Sequence, residues 1–502
     1  MSGGACAFGP FVVDRGTYTL TRDGRPVTLT PKLLDLLLYL VERPATLVTK
    51  EELLDALWHD ANVTDNALAQ AVSELRQVLG DDAASPTFIR TIPRRGYRFV
   101  ATVDVRDAAS PPPSGGSLRA IAGARETPSR DAYRAFIEGS LRLETLDVRE
   151  MAAARDDFGR AVALDPRYAL ACTGLASVEF VLYEQTRWSN EPARHLLDEA
   201  LEHARHAVSL DGGLAEAHAT LSLLLVSAKR PDEAVAAAER AVDLEPSNWR
   251  HLFRLANASW GSARLEALAR VRDLYPEFAF AHFQVAMVHV ARNRLGVAEG
   301  VLRQGISAQE RSHGGERFPA QGLHWLLGLV LLAQSRAQDA LAVFDEGLRV
   351  LDPHRLYGRE YLVHTQLGKG MALLRLDAVD PAAGAFADAL AADPTLAACR
   401  LGMAFCERAR GESSRAEAEL RHAEAAVPIL ARSRSVEAAT VRAQIAVARG
   451  RLDEAVALLE AMLDTSPPGH AAWTIPTDPF LRQLQSHQGL ARVLERLAGR
   501  AE

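Results

Sequence analysis

The stretch "DNALAQAVSELRQVLGDDAASPTFIRTIPRRGYRFV", residues 65–100, changes its period partway along. In its first half Leu68, Val72, Leu75, Val78 and Leu79 recur at helical spacing. That spacing predicts an amphipathic helix over about 65–80, with one side buried. Gly80 suits its C-terminal stop. Asn66, Gln70, Ser73, Glu74 and Gln77 stand on the opposite face, with Arg76 at its flank. After "DDAASP" the pattern becomes that of a hairpin: "TFIRTI", a turn at Arg94-Arg95-Gly96, then "YRFVATV". Arg90, Arg94, Arg95 and Arg98 place four cations in nine residues with no acid among them. In a chain of net charge −7, that local cluster asks for a reason.

Outward from this stretch toward the N-terminus, residues 8–29 alternate and turn around Asp23-Gly24, as short antiparallel strands do. Thr30 before Pro31 reads as an N-cap with proline at the first helical position. Behind it Leu33, Leu34, Leu37, Leu38 and Val41 form an apolar stripe that should stop near Arg43-Pro44. Thr49 and Glu52 make a capping box for a second, short helix carrying Leu53, Leu54, Leu57 and Trp58. The loop "HDANVT", 59–64, leads to the third helix. Helix, loop, helix is the spacing of a helix-turn-helix, whose second helix enters the DNA major groove. The polar face of the third helix carries side chains that donate to and accept from base edges, and Asn or Gln pairs bidentately with adenine. Arg76 suits a phosphate contact better than a base contact. The hairpin that follows is then a wing. Arg90, Thr91, Arg94, Arg95 and Arg98 would lie along the backbone and reach an adjacent minor groove, where the potential is most negative. Gly96 permits the turn and keeps a side chain from holding the backbone off the DNA. A merely solubilising hairpin is the competing reading; the helix beside it favours DNA.

Beyond residue 104 the composition shifts. "RDAASPPPSGGS" is rich in Pro, Ser, Gly and Ala, as flexible linkers are. Past it the chain is helical and repetitive. Ala200, Ala207 and Gly212 map onto Ala234, Ala241 and Pro246, each displaced by 34 residues. That is the tetratricopeptide period, with small residues where two helices touch and proline near the end of the second. Similar marks recur at Phe158, Leu327-Gly328, Phe344, Leu367-Gly368, Phe386, Leu401-Gly402 and Leu459. The expected fold is therefore mainly α. An α+β winged helix-turn-helix at 1–104 and a linker at 105–130 precede an α-solenoid over 131–502. The solenoid should hold about eight to nine repeats and a terminal capping helix near 478–498.

The totals exclude several classes. Apolar content of 48% and charged content of 24% are those of a folded protein. Four cysteines without a CxxC pair suggest a reducing compartment. The N-terminus lacks a secretory pattern, and "LLDLLLYLV" and "LHWLLGLVLLA" are too short to span a bilayer. A cytoplasmic protein without membrane contact is expected. No phosphate loop, dinucleotide fingerprint, zinc-protease or serine-hydrolase motif is present. His203 with His206, and His282 with His289, lack a third ligand nearby. No catalytic residue, metal or cofactor is expected, and the protein reads as no enzyme.

The stretches "LTPKLLDLLLYLVERP", Leu75-Arg76 and "RGYRF" (95–99) resemble, in order and spacing, the OmpR/PhoB-type winged-helix DNA-binding domain. The resemblance covers about 8–103 and is nearest the ToxR/CadC/HilA-like branch of bacterial regulators, some of which also carry tetratricopeptide repeats. It implies that Asn66, Gln70, Ser73, Glu74 and Gln77 face double-stranded DNA and that Thr91, Arg94 and Arg95 belong to the wing. It also implies that the loop with His59, Asp60, Asn62 and Thr64 touches RNA polymerase. Ser73 and Glu74 depart from the basic residues common there, and no receiver domain precedes residue 8. The expected function is a sequence-specific transcriptional regulator, an activator by resemblance. Its repeats would take a peptide, protein or small-molecule effector, or assemble a homo-oligomer. The alternatives are a solenoid scaffold whose winged helix binds protein, and an enzyme hidden in the repeats.

Overall fold

The computed structural model describes residues 5–14, 19–22, 25–27, 31–57, 65–82, 86–92, 95–106, 127–187, 189, 191–311, 320–467, 469 and 471–502. The chain divides into two compact units, 1–118 and 119–502.

The first unit opens with strands β1 (Ala5–Phe8), β2 (Phe11–Asp14), β3 (Thr19–Arg22) and β4 (Arg25–Val27). The expected Asp23-Gly24 turn and the Thr30 cap lie outside the described residues. Helices α1 (Pro31–Val41), α2 (Lys50–Leu57) and α3 (Asp65–Leu79) fall where the periodicity puts them. Thr49 Oγ1 accepts from the Glu52 N–H at 3.1 Å, which is the N-cap half of the predicted box. Leu36, Leu37 and Leu40 of α1 are fully buried. They pack with Leu68, Val72, Leu75 and Leu79 of α3 into one core. Four rings fill its sheet side. Phe8 stacks on Phe11 at 5.5 Å and meets Phe99 edge-on at 5.1 Å, and Phe88 meets Phe8 and Phe11, each at 5.6 Å.

Two short strands are not legible in the alternation. One, Asp104–Arg106, pairs with β1 and becomes the edge of a five-stranded sheet that continues through β2 and β3 to β4. Composition ends the domain at 104. The backbone groups of β1 need a partner on that side, and the pairing carries the sheet to Arg106. The other, β5 (Leu47–Thr49), is too short to show a period. It joins β6 (Ile89–Ile92) and β7 (Gly96–Phe99) in a second sheet, order β5-β7-β6, and Asp104–Arg106 is then β8.

Among its described residues the second unit contains nine helix pairs, from Arg130–Thr145 with Met151–Leu164 to Ser435–Ala448 with Leu452–Thr465. Short 3-10 turns at Ile475–Thr477 and Pro479–Ser486 precede a last helix, Gln488–Gly499. The capping segment expected from about 478 is thus 3-10 first and α only from 488. Ser129 caps the first repeat helix by accepting from the Ala132 N–H at 3.1 Å.

The glycines that mark the repeats have a packing role. Phe344, fully buried on the helix Ala337–Val350, lies against Gly328 of the preceding helix and Gly368 of the following one. A Cβ at those glycines would come within 2.3 and 2.5 Å of its ring. Phe158 sits likewise between Gly139 and Gly174, and Phe386 between Gly370 and Gly402. One wedge between two bare backbones therefore recurs in three repeats. Successive first helices pack on each other, as Ala215–Ser227 does on Trp249–Ala258, whereas successive second helices barely meet. The first helices therefore line the inner side of the curve.

Nearest-neighbour packing, the rule for solenoids, is broken in more than one place: the C-terminus returns to the middle of the array, where Arg292 Nη2 donates to Ala501 O at 2.7 Å, and another segment reaches further back. The segment 352–360 clasps helices far earlier in the chain. Asp147 forms an antiparallel bridge with Arg355, and the Leu356 N–H donates to Leu146 O at 3.1 Å. Arg355 also donates to Thr145 O. Tyr357 Oη donates to Glu184 Oε2 at 2.8 Å, and Arg187 reaches Glu360 at 3.1 Å.

Candidate nucleic-acid interface

The wing is built by β6 and β7, with Ile89 opposite Phe99 and Arg90 opposite Arg98. Ile89 and Phe99 are fully buried in the core, which turns the alternate positions outward. Arg90, Thr91 and Arg95 are exposed and Arg98 is half-buried. The Arg95 N–H donates to Ile92 O at 3.0 Å and closes the hairpin turn. Arg94 lies outside the described residues. Like charges directly opposite on neighbouring strands repel. Among the described residues no acid pairs with Arg90, Arg95 or Arg98, so the arrangement favours an external anion.

Gly96 has a different reason from the one expected. Its φ is +154°, and a Cβ there would come 2.0 Å from Val48 O of β5. The glycine lets β5 approach β7; it is buried within the domain, not held toward a ligand.

On α3, Ser73 and Glu74 are exposed. Helical register places positions 66, 70 and 77 on the same side as Ser73, at intervals of three and four. The side chains of Asn66, Gln70 and Gln77 lie outside the described residues. So do His59, Asp60, Asn62 and Thr64 of the loop before α3.

Arg76 does not point at the flank as expected. Its guanidinium turns onto the wing, where Nη2 donates to Ile89 O at 2.7 Å and to Thr91 Oγ1 at 2.8 Å. The side chain is 12% exposed. Its internal acceptors leave it a positioning role, tying α3 to β6 one turn beyond Ser73. Sequence reasoning passes over Asp81. Its fully buried carboxylate accepts the N–H groups of Thr87, Phe88 and Ile89 at 2.6, 3.0 and 2.8 Å. An acid immediately after a helix-stopping glycine is the available signal. Arg76 and Asp81 together hold the exposed face of α3 and the first wing strand side by side.

The histidine pairs bring no metal site together. His203 bonds Glu179 at 2.8 Å and His206 bonds Pro166 O at 3.3 Å. Among the described residues no cluster of three metal-ligating side chains occurs. Burial pushes the Cys399 thiol up to about 12 and that of Cys406 to about 11. No helix among the described residues is long and apolar enough to cross a membrane.

The family model "Transcriptional regulatory protein, C terminal" matches residues 24–99. A tetratricopeptide-repeat model matches 220–267, 286–354 and 407–470. The transcriptional activator CadC of Escherichia coli is 36% identical over 96 residues, 19% of this chain and 19% of CadC. The transcriptional regulatory protein AfsQ1 of Streptomyces coelicolor is 39% identical over 96 residues, 19% of this chain and 43% of AfsQ1. The chain thus spans less than half of either relative. The solved DNA-binding domain of E. coli CadC is 33% identical, with 20% of this chain and 96% of that one covered and a TM-score of 0.19. The chain carries an OmpR/PhoB-type transcriptional-regulator domain in its N-terminal unit, followed by tetratricopeptide repeats.

Proposed function

We propose that the protein is a transcriptional regulator that reads a specific duplex sequence through α3 and the wing. One observation carries this reading: among the described residues Arg90, Arg95 and Arg98 stand without acid partners, on a ribbon that Arg76 fixes to the exposed side of α3. Gln70 and its neighbours at 66, 73 and 77 read base edges. Arg90, Thr91, Arg94, Arg95 and Arg98 hold the backbone and an adjacent minor groove. Two copies on repeated half-sites suit the domain, and the loop 59–64 contacts RNA polymerase. Activation is favoured over repression by the resemblance and by the name of CadC. The repeat unit senses an effector or mediates assembly.

The test is selection of bound duplexes from a random pool with the full chain, followed by salt titration on the selected site. A preferred sequence is expected. Arg94→Ala with Arg95→Ala should weaken binding to every sequence and lower the salt slope by up to about one unit for each phosphate no longer neutralised. Gln70→Ala should instead cost roughly 1–3 kcal/mol at one base position. No preferred sequence at low salt, or the same effect of both variants on all sequences, contradicts the reading.

A further inference from the structure

We propose that the inner face of the repeat unit binds a small organic anion with an aromatic body, anchored by Arg254. This rests on the reading of that unit as the sensing module and gives the chemistry of what it senses.

The inner wall is aromatic over a long continuous path. Phe253 meets Phe280 at 5.7 Å, Phe280 meets Phe283 at 5.6 Å, and Phe283 meets Tyr361 at 6.0 Å and Trp473 at 6.5 Å. Trp325 closes the group, 5.6 Å from Tyr361 and 6.2 Å from Trp473. Phe253, Phe280, Trp325 and Tyr361 come from the first helices of four different repeats, and Trp473 from the segment after the last pair. Phe283 is buried, while Phe253, Phe280, Trp325, Tyr361 and Trp473 are only half-buried. A shared run of partly wet rings loses free energy unless something apolar covers it.

Charge at this wall is almost balanced internally. Arg187 lies 3.0 Å from Glu184 and 3.1 Å from Glu360. Arg434 lies 3.2 Å from Glu437. Arg254, half-buried next to Phe253, differs: it makes no hydrogen bond or ion pair among the described residues. Burial depresses its pKa, and the charges of Glu216 and of the Tyr357 phenol only partly oppose that. A guanidinium that is only partly hydrated, and has no partner among the described residues, gains from an anion that bonds it. Tyr357 belongs to the clasp that bonds Glu184. The clasp fixes the spacing of two distant parts of the curve, which favours a compact occupant, a small ligand. Its anionic group meets Arg254 and its ring continues the stack that begins at Phe253.

The test uses the full-length protein with phenyl phosphate and phenylacetate as probes. Benzyl alcohol serves as the neutral control and benzyltrimethylammonium as the cationic one. Calorimetry and quenching of tryptophan emission read the binding. Saturable binding of at least one anion is expected below about 20 mM, with benzyl alcohol about tenfold weaker and the cation weaker still. Which anion binds better separates a phosphate from a carboxylate ligand. Arg254→Gln should reduce both anions to the level of benzyl alcohol, and Arg254→Lys should restore part of the difference. An unchanged helical signal and melting transition show that the variants fold. No saturable binding of either anion, equal binding of the neutral control, or an unaffected Arg254→Gln variant overturns the proposal. Selection of duplex DNA by the same preparation reports separately on the regulator reading, which stands or falls without this site.

Discussion

In the repeat unit Arg155 bonds Glu179 and Glu199, Arg336 bonds Glu299 and Asp339, and Arg449 bonds Glu417 and Glu424. In the wing Arg90, Arg95 and Arg98 bond no acid among the described residues, and two of them face each other across the ribbon. The same residue type serves two ends. Where arginine stitches neighbouring repeats, an acid is supplied one helix away. Where acids are withheld, the cation is left for something outside the chain. Arg254, half-buried on the helix Trp249–Ala258, likewise bonds no acid among the described residues.

The largest effect is expected at Asp81, an acid of the first unit whose nearest cation among the described residues is Arg76, with Nε at 4.0 Å. It spends its oxygens on three buried N–H groups instead. Asp81→Ala orphans those donors and should destabilise the first unit by about 3–5 kcal/mol. Amide exchange at Thr87, Phe88 and Ile89 would read this directly, and DNA binding should fall although Asp81 touches no ligand. Unchanged protection at those amides would contradict the positioning role.

A middle-sized effect is expected at Asp478, a half-buried acid of the repeat unit with no cation partner among the described residues. Its carboxylate accepts from Gln444 Nε2 at 2.7 Å and from the Phe480 N–H at 2.9 Å. Burial outweighs these bonds and raises its pKa from the ordinary 3.8 to about 6. The folded state therefore holds this proton more tightly than the unfolded chain does. Its contribution favours folding below the unfolded pKa, declines as pH rises through that window, and is level above about 6. Chemical denaturation at stepped pH should show the decline. Asp478→Asn should remove it, because an amide does not titrate and Gln444 can turn its oxygen toward it. A variant with the same pH slope as the parent would refute the assignment.

The smallest effect belongs to the exposed stitches. Arg349 is 70% exposed and pairs with Glu346 within one helix. Water and salt screen such a pair, so Arg349→Ala should move the melting temperature by no more than about 1 °C. A larger drop would mean that surface pairs carry more of the solenoid than its wedged phenylalanines do.

Much of this is legible in the residues, and the misses share a cause. The helices α1, α2 and α3 announce themselves by periodicity and by the Thr49 cap, and the repeats by their 34-residue displacement. Strands β5 and β8 are not legible, because three residues give no period and their pairing partners lie far along the chain. The role of Arg76 is hidden for a similar reason. Its position on the helix is local, but its acceptors at Ile89 and Thr91 depend on where the wing packs. Gly96 signals a backbone requirement without saying which backbone makes it. The clasp at 352–360 and the isolation of Arg254 arise only when helices more than a hundred residues apart meet.

The most direct test places a photo-crosslinking side chain at Ser73 in one preparation and at Arg95 in another, each bound to the selected duplex. Ser73 should mark bases from the major groove. Arg95 should mark the backbone or minor groove roughly half a helical turn away, about 5 base pairs. Crosslinks from both positions in one bound frame are the predicted result. If only one position reaches DNA, or both mark unrelated positions along the duplex, α3 and the wing do not act as one reading surface.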